Sequence, residues 1–171
     1  MLKHLSIKDF VIVDRIELEF MPGFTVLTGE TGAGKSILID ALMLALGERG
    51  DASQIRLGCE RAEINVIFDI CRLPGLLNWL DENDLQGDPD SCLMRRIIET
   101  NGRSRGYING HTATLQQLRT AGEYLVAIHS QHAHQSLLQK DAQRELLDAF
   151  SGCGDLAHVV RVTYQNWQDC H

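Results

Sequence analysis

At 171 residues the chain has the length of one ordinary domain, or of one domain with a short arm. Its 44% hydrophobic and 23% charged residues exclude disorder, and a net charge of −7 makes the whole chain a poor match for a polyphosphate backbone. The apolar run Ile37 to Leu46 is interrupted by Asp40 and too short to span a bilayer, and residues 1–10 lack the apolar heart of a signal peptide. Cys59, Cys71, Cys92, Cys153 and Cys170 contain no CxxC pair and read as reduced thiols of a cytosolic protein.

In chain order, Leu5 to Ile7 and Val11 to Phe20 read as strands, the second alternating at Ile16, Leu18 and Phe20. Pro22-Gly23 turns the chain into a short buried strand, Phe24 to Leu27. After a glycine-rich loop, Ser36 to Leu46 is a helix apolar nearly all round, expected to be buried and stopped by Gly47. Ala62 to Ile70 is another strand, and Pro74 opens a short helix through Leu80. Cys92 to Glu99 and Arg105 to Ile108 flank Asn101-Gly102, a hairpin signal. Leu115 to Leu118 suits a helix, Tyr124 to Ile128 a buried strand, and Ala142 to Phe150 a helix capped by Asp141.

Ser151-Gly152-Cys153-Gly154 then breaks the chain, and Asp155 can cap a last helix. Leu156, Val159, Val160, Tyr164 and Trp167 fall on one stripe of it. No stop signal precedes His171, which reads as a longer helix cut short. Charge is uneven along the chain. Asp81 to Asp90 holds five acids and no base, a solvated helix end and loop. Arg95, Arg96, Arg103 and Arg105 form either a phosphate-facing surface or the polar face of a hairpin.

One motif carries chemistry. Gly29-Glu30-Thr31-Gly32-Ala33-Gly34-Lys35-Ser36 matches G-x-x-x-x-G-K-[ST], between an apolar strand and a long helix. Glycines let successive N–H groups point at phosphate oxygens, and the helix N-terminus adds positive potential. Lys35 supplies a mobile charge for the β- and γ-phosphates, and Ser36 an oxygen ligand for Mg²⁺. Hydrolysis also needs an acid to hold Mg²⁺ or its water. Val66-Ile67-Phe68-Asp69 mimics such a strand, but it alternates around Asn65 like a half-exposed antiparallel strand. Asp69 is therefore read as a surface residue. The chain holds half a catalytic site.

Several stretches together resemble the N-terminal head segment of the RecN family, bacterial SMC-like DNA-repair ATPases. They are Leu2 to Asp14, Thr28 to Ser36, Asp40 to Arg49, Gly102 to Gly110 (GRSRGYING) and Ile128 to Leu138 (IHSQHAHQSLL). The resemblance covers essentially the whole chain. It implies an ABC-type head split in sequence, with the P-loop and Q-loop in a first lobe, then a coiled coil. The signature motif, Walker B acids and switch histidine would follow in a C-terminal lobe. The implied fold is α/β: a P-loop half-head with a mixed central sheet, an antiparallel β-subdomain and the start of a coiled-coil arm. The lobe would span residues 1–150 and the arm residues 151–171.

By position, the resemblance makes Gln131 the Q-loop glutamine, a Mg²⁺ ligand and γ-phosphate sensor. Arg56 takes the arginine-loop position, reaching nucleotide phosphates, with Arg49 a competing candidate. Ser130 stands where the family pattern has glycine, and Gly106 carries no assigned role. His129, His132 and His134 do not have zinc-ligand spacing. The implied cofactors are ATP and Mg²⁺. The implied partners are the chain's own C-terminal lobe, a second head across sandwiched ATP, and DNA with recombination proteins, in a cytoplasmic, nucleoid-associated setting without membrane contact. Head dimerisation would be ATP-driven, and hydrolysis would need the C-terminal lobe. Two alternatives stand beside this reading: a self-contained small P-loop kinase with Asp69 as its acid, and a dimerisation module built on the terminal stripe.

Overall fold

Apolar residues at every second position set the architecture of residues 1–126. They build β1 (Leu2–Phe10), β2 (Val13–Glu19), β3 (Arg61–Asp69), β4 (Ser91–Glu99), β5 (Ser104–Ile108) and β6 (His111–Ala113). These form one sheet in the order β2-β1-β3-β4-β5-β6, with every pairing antiparallel. The computed structural model describes residues 1–28, 34–126 and 140–169, in two units, Met1–Val126 and Ala127–His171. In β3 the side chains of Ala62, Ile64, Val66 and Phe68 are buried, and those between them are half-exposed. Helix α1 (Lys35–Ala45) packs on β1, β3 and β4, and α3 (Leu115–Leu125) packs on β5. Helix α2 (Pro74–Glu82) touches α3.

Local chemistry fixes the joints. The hairpin between β4 and β5 turns at Gly102 (φ 78°), and Asn101 Oδ1 accepts from the Arg103 N–H at 2.8 Å. Thr114 and Gln117 form a reciprocal capping box that starts α3. Asn109, in the left-handed region at φ 51°, accepts from the Leu93 N–H and donates to the Leu85 carbonyl, both at 2.9 Å. The GYING block thus clips the start of β4 to the loop after α2.

Gly47 ends α1 at φ 97°, and its carbonyl accepts from Arg119 Nε at 3.0 Å. A Cβ there would lie 2.7 Å from the Leu115 carbonyl oxygen and 2.8 Å from the Arg119 nitrogen. Gly58 has a similar φ of 87° but open space around it. Gly47→Ala is therefore expected to destabilise by clearly more than about 1 kcal/mol, because clash adds to backbone strain. Gly58→Ala meets strain alone. Urea midpoints of the two variants should differ, and equal midpoints would refute the close approach.

The structure corrects several expectations. Phe24 to Leu27 forms no strand, and Phe24 is 99% exposed. A parallel strand needs ladder partners, and no described strand lies beside this segment. Tyr124 and Leu125 belong to the last turn of α3, because the capped helix continues along its buried residues Leu118, Ala121 and Gly122. Residues 127 and 128 of that expected strand lie outside the described residues. Helix α1 buries only Ala41, Leu44 and Ala45, leaving Ile39 and Asp40 exposed. Gly106 does have a role: a Cβ there would meet Leu118 Cδ1 at 2.4 Å, so its bareness lets α3 close on β5.

The four arginines do not make one surface. Consecutive strand residues face opposite sides, so Arg96 is buried while Arg95 is half-exposed. Arg95 pairs with Glu63 at 2.8 Å, and Arg105 with Glu99 at 3.2 Å. In the second unit, α4 (Lys140–Ser151) and α5 (Gly154–Asp169) are separated by Gly152 at φ 68°. Asp141 and Asp155, expected as caps, each stand at the second residue of these helices, within the usual looseness of helix ends. Leu156, Val159, Val160, Tyr164 and Trp167 are all exposed. No described helix is long and apolar enough to cross a membrane.

Candidate nucleotide site

Gly34 is the N-cap of α1 and adopts φ 86°, a left-handed conformation that favours glycine. The Leu38 N–H donates to the Gly34 carbonyl at 3.3 Å, so helical bonding begins there. Lys35 and Ser36 are the first two helical residues, and Ser36 is exposed. The end of α1 that carries unpaired N–H groups and positive potential is thus the end bearing the motif lysine. A cavity of about 460 Å³ opens beside it, lined by Gly34, Lys35, Ile37 and Leu38, by Leu27 and Thr28, and by residues 12–16.

The rest of the lining comes from Ile12 in the β1–β2 turn and from Val13 to Ile16 at the start of β2. At the turn, Asp9 and Val11 sit at φ 54° and 52°. A β-branched residue in that region is strained, which is common beside functional sites. This turn is sutured to the segment carrying Arg56. The Val11 N–H donates to the Gln54 carbonyl at 2.7 Å, and the Arg56 N–H to the Asp9 carbonyl at 2.9 Å. Phe10 and Ile55 form an antiparallel bridge. Asp51 caps the 3-10 turn Ala52–Gln54 through a reciprocal box with Gln54. Arg56 Nη1 then donates to Asp14 Oδ1 at 2.8 Å, and Asp14 lines the cavity.

The structure therefore brings Gly34, Lys35 and Ser36 together at one helix end and sets Arg56 one residue from the cavity wall. Arg49 lies past the other end of α1, a helix of 11 residues and so about 16 Å long. Gly29, Glu30, Thr31, Gly32, Ala33 and Gln131 lie outside the described residues, as do His129, His132 and His134. Among the described residues no group of three His, Cys, Asp or Glu could hold a metal ion. Asp69 lines a different cavity, where it accepts from the Cys71 N–H at 3.2 Å and pairs with Lys3 at 3.5 Å.

The AAA domain family model matches residues 4–157. The chain belongs to the AAA domain family. Over 168 residues it is 45% identical to the DNA repair protein RecN of Vibrio cholerae, covering 98% of this chain and 30% of that one. It matches the N-terminal segment of RecN. It thus spans about a third of the length of the curated relatives it matches. Among solved structures, the Smc head domain with coiled coil and joint from Pyrococcus yayanosii superposes with a TM-score of 0.66 at 20% identity. That match covers 98% of this chain and 35% of the other. An SMC ATPase structure concerned with ATP-driven dimerisation and DNA-stimulated activation gives 0.59 at 22% identity, over 85% and 96%. The fold is that of an SMC-type head's half, a P-loop α/β class.

Within this AAA domain three thiols, Cys59, Cys71 and Cys92, are chemically quiet. Asp9 accepts from the Cys59 thiol at 3.3 Å and pushes its pKa up. Asp69 and Asp90 raise that of Cys71 to about 11, and burial raises that of Cys92 to about 12. All three stay protonated near neutrality and offer no nucleophile. Sequence reasoning missed Asp14 and the β1–β2 turn, since periodicity says nothing about a carboxylate that meets its partner across 42 residues. The Asp51…Gln54 capping box was missed as well, although D-x-x-Q is an N-cap signature that could have found it.

Proposed function

We propose that the chain is the ATP-binding N-terminal lobe of an SMC-like ATPase acting in DNA double-strand break repair and recombination. The observation that carries this reading is the phosphate-loop motif running into α1 at Gly34, with Lys35 on the wall of a cavity. Residues Gly29 to Ser36 bind the triphosphate, with Lys35 neutralising the β- and γ-phosphates. Arg56 reaches the phosphates from beside Asp14 and stabilises charge developing in hydrolysis. Ser36, exposed in the first turn of α1, fits a Mg²⁺ ion through its hydroxyl, and Gln131 supplies a second oxygen. When bound, such an ion would offset the charge of the phosphates.

Hydrolysis needs further groups, the signature motif, the Walker B acids and the switch histidine, and these come from a C-terminal lobe of the same protein. The exposed apolar side chains of Phe24, Val26, Leu27 and Ile39 support such a missing neighbour. The lobe occupies residues 1–150 and the coiled coil begins at 151–171, with the exposed stripe of α5 as its seam. Two heads close on ATP because nucleotide binds the closed state better. The setting is cytoplasmic and nucleoid-associated, with DNA and recombination proteins as partners. The kinase alternative loses its acid, since Asp69 does not line the Lys35 cavity.

The test is ATP turnover by this lobe alone and mixed with a separately made C-terminal lobe. Turnover that appears only in the mixture supports the split head. Robust turnover by the lobe alone would overturn it.

A further inference from the structure

Asp14 is the one described carboxylate that both lines the Lys35 cavity and grips Arg56. Its neighbours argue that the grip is not structural. The two segments are already joined by the Val11–Gln54 and Arg56–Asp9 backbone bonds and by the Phe10–Ile55 bridge. The ion pair adds little to that joint, because its side chains are 40% and 76% exposed and water screens them. A weak, exposed pair is easily exchanged. A triphosphate offers Arg56 several anionic oxygens and bidentate geometry, which one Asp14 oxygen at 2.8 Å does not match.

We propose that Asp14 is the ground-state counter-ion of Arg56, holding the guanidinium at the rim of the cavity until nucleotide phosphate displaces it. This rests on the ATP reading given above. In the empty site Arg56 is neutralised and kept from other anions. When ATP enters, Arg56 passes from the carboxylate to the phosphates, and the lost ion pair is subtracted from the binding energy. Asp14 is thus a positioning residue that acts through Arg56 and tunes affinity without touching the reacting atoms.

The experiment is a double-mutant cycle on ATP dissociation constants in the full-length protein, with Asp14→Asn, Arg56→Ala and both together, and Lys35→Ala alongside. Asp14→Asn keeps the shape and removes the competing charge. It is expected to tighten ATP binding about threefold to fivefold, the scale of an exposed ion pair. In the Arg56→Ala background the gain should vanish, and Asp14→Glu should behave as the wild type. A gain that persists without Arg56 would mean simple repulsion of phosphate by Asp14 and overturn the exchange. Unchanged or weaker binding in Asp14→Asn would overturn it as well. If Lys35→Ala also leaves ATP binding untouched, the nucleotide reading itself falls; if Lys35→Ala abolishes binding while Asp14→Asn does nothing, only the exchange falls.

Discussion

Lys35→Ala should cut ATP turnover of the complete enzyme by about a hundredfold to a thousandfold, the loss typical of removing one preorganised group from a developing anion. Its position makes the argument sharper. Lys35 opens α1, where a cation opposes the positive end of the helix dipole, and the last turn of that helix has no basic residue. A lysine there is placed against the helix and for an anion. Removing it takes away a charge that the helix dipole opposes, so stability should change far less than function. Turnover and urea midpoint measured on the same preparations check both halves. A parallel fall in stability would make Lys35 a structural residue, and retained turnover would remove it from the phosphate site.

The antiparallel part of the fold was legible because alternation in a half-buried sheet is written residue by residue. Ile64, Val66 and Phe68 in β3 announce a buried face, and Asn101-Gly102 announces the turn. The expectations that failed, a strand at Phe24 to Leu27 and strand rather than helix at Tyr124 and Leu125, were read from short apolar runs. Such a run says only that a segment wants burial, and it cannot say whether the partner that buries it lies within these residues. At the proposed site, the motif Gly29 to Ser36 is contiguous in sequence, and the structure describes its last three residues, Gly34, Lys35 and Ser36, at the start of α1. Asp14 was not legible, since its meaning comes from a suture between residues 9–14 and 51–58. Gly106 was illegible for the same reason: only the approach of Leu118 across β5 explains it.

The sheet core offers a second large effect, in which two substitutions on one buried face act with opposite sign. Phe68 is fully buried at the end of β3, opposite Cys92 of β4 and Leu2 of β1. Phe68→Ala removes a large apolar side chain from a packed layer and is expected to destabilise by about 3–5 kcal/mol, comparable to much of a small domain's total stability. Arg96 lies on the same face, in the row Ile16, Ile7, Ile64, Arg96, Gly106 and Ala113 that crosses all six strands. It is 2% exposed, burial pushes its pKa down, and its Nε has no hydrogen-bond partner. A guanidinium there pays desolvation without a matching carboxylate. Arg96→Met keeps the length, drops the charge and should raise stability by about 1–4 kcal/mol, as replacing buried ionic groups by apolar ones of similar volume does elsewhere. Urea unfolding followed by circular dichroism reads both variants. A loss for Arg96→Met as large as that for Phe68→Ala would mean that the guanidinium, despite its unpaired Nε, is bound within the core rather than stranded there.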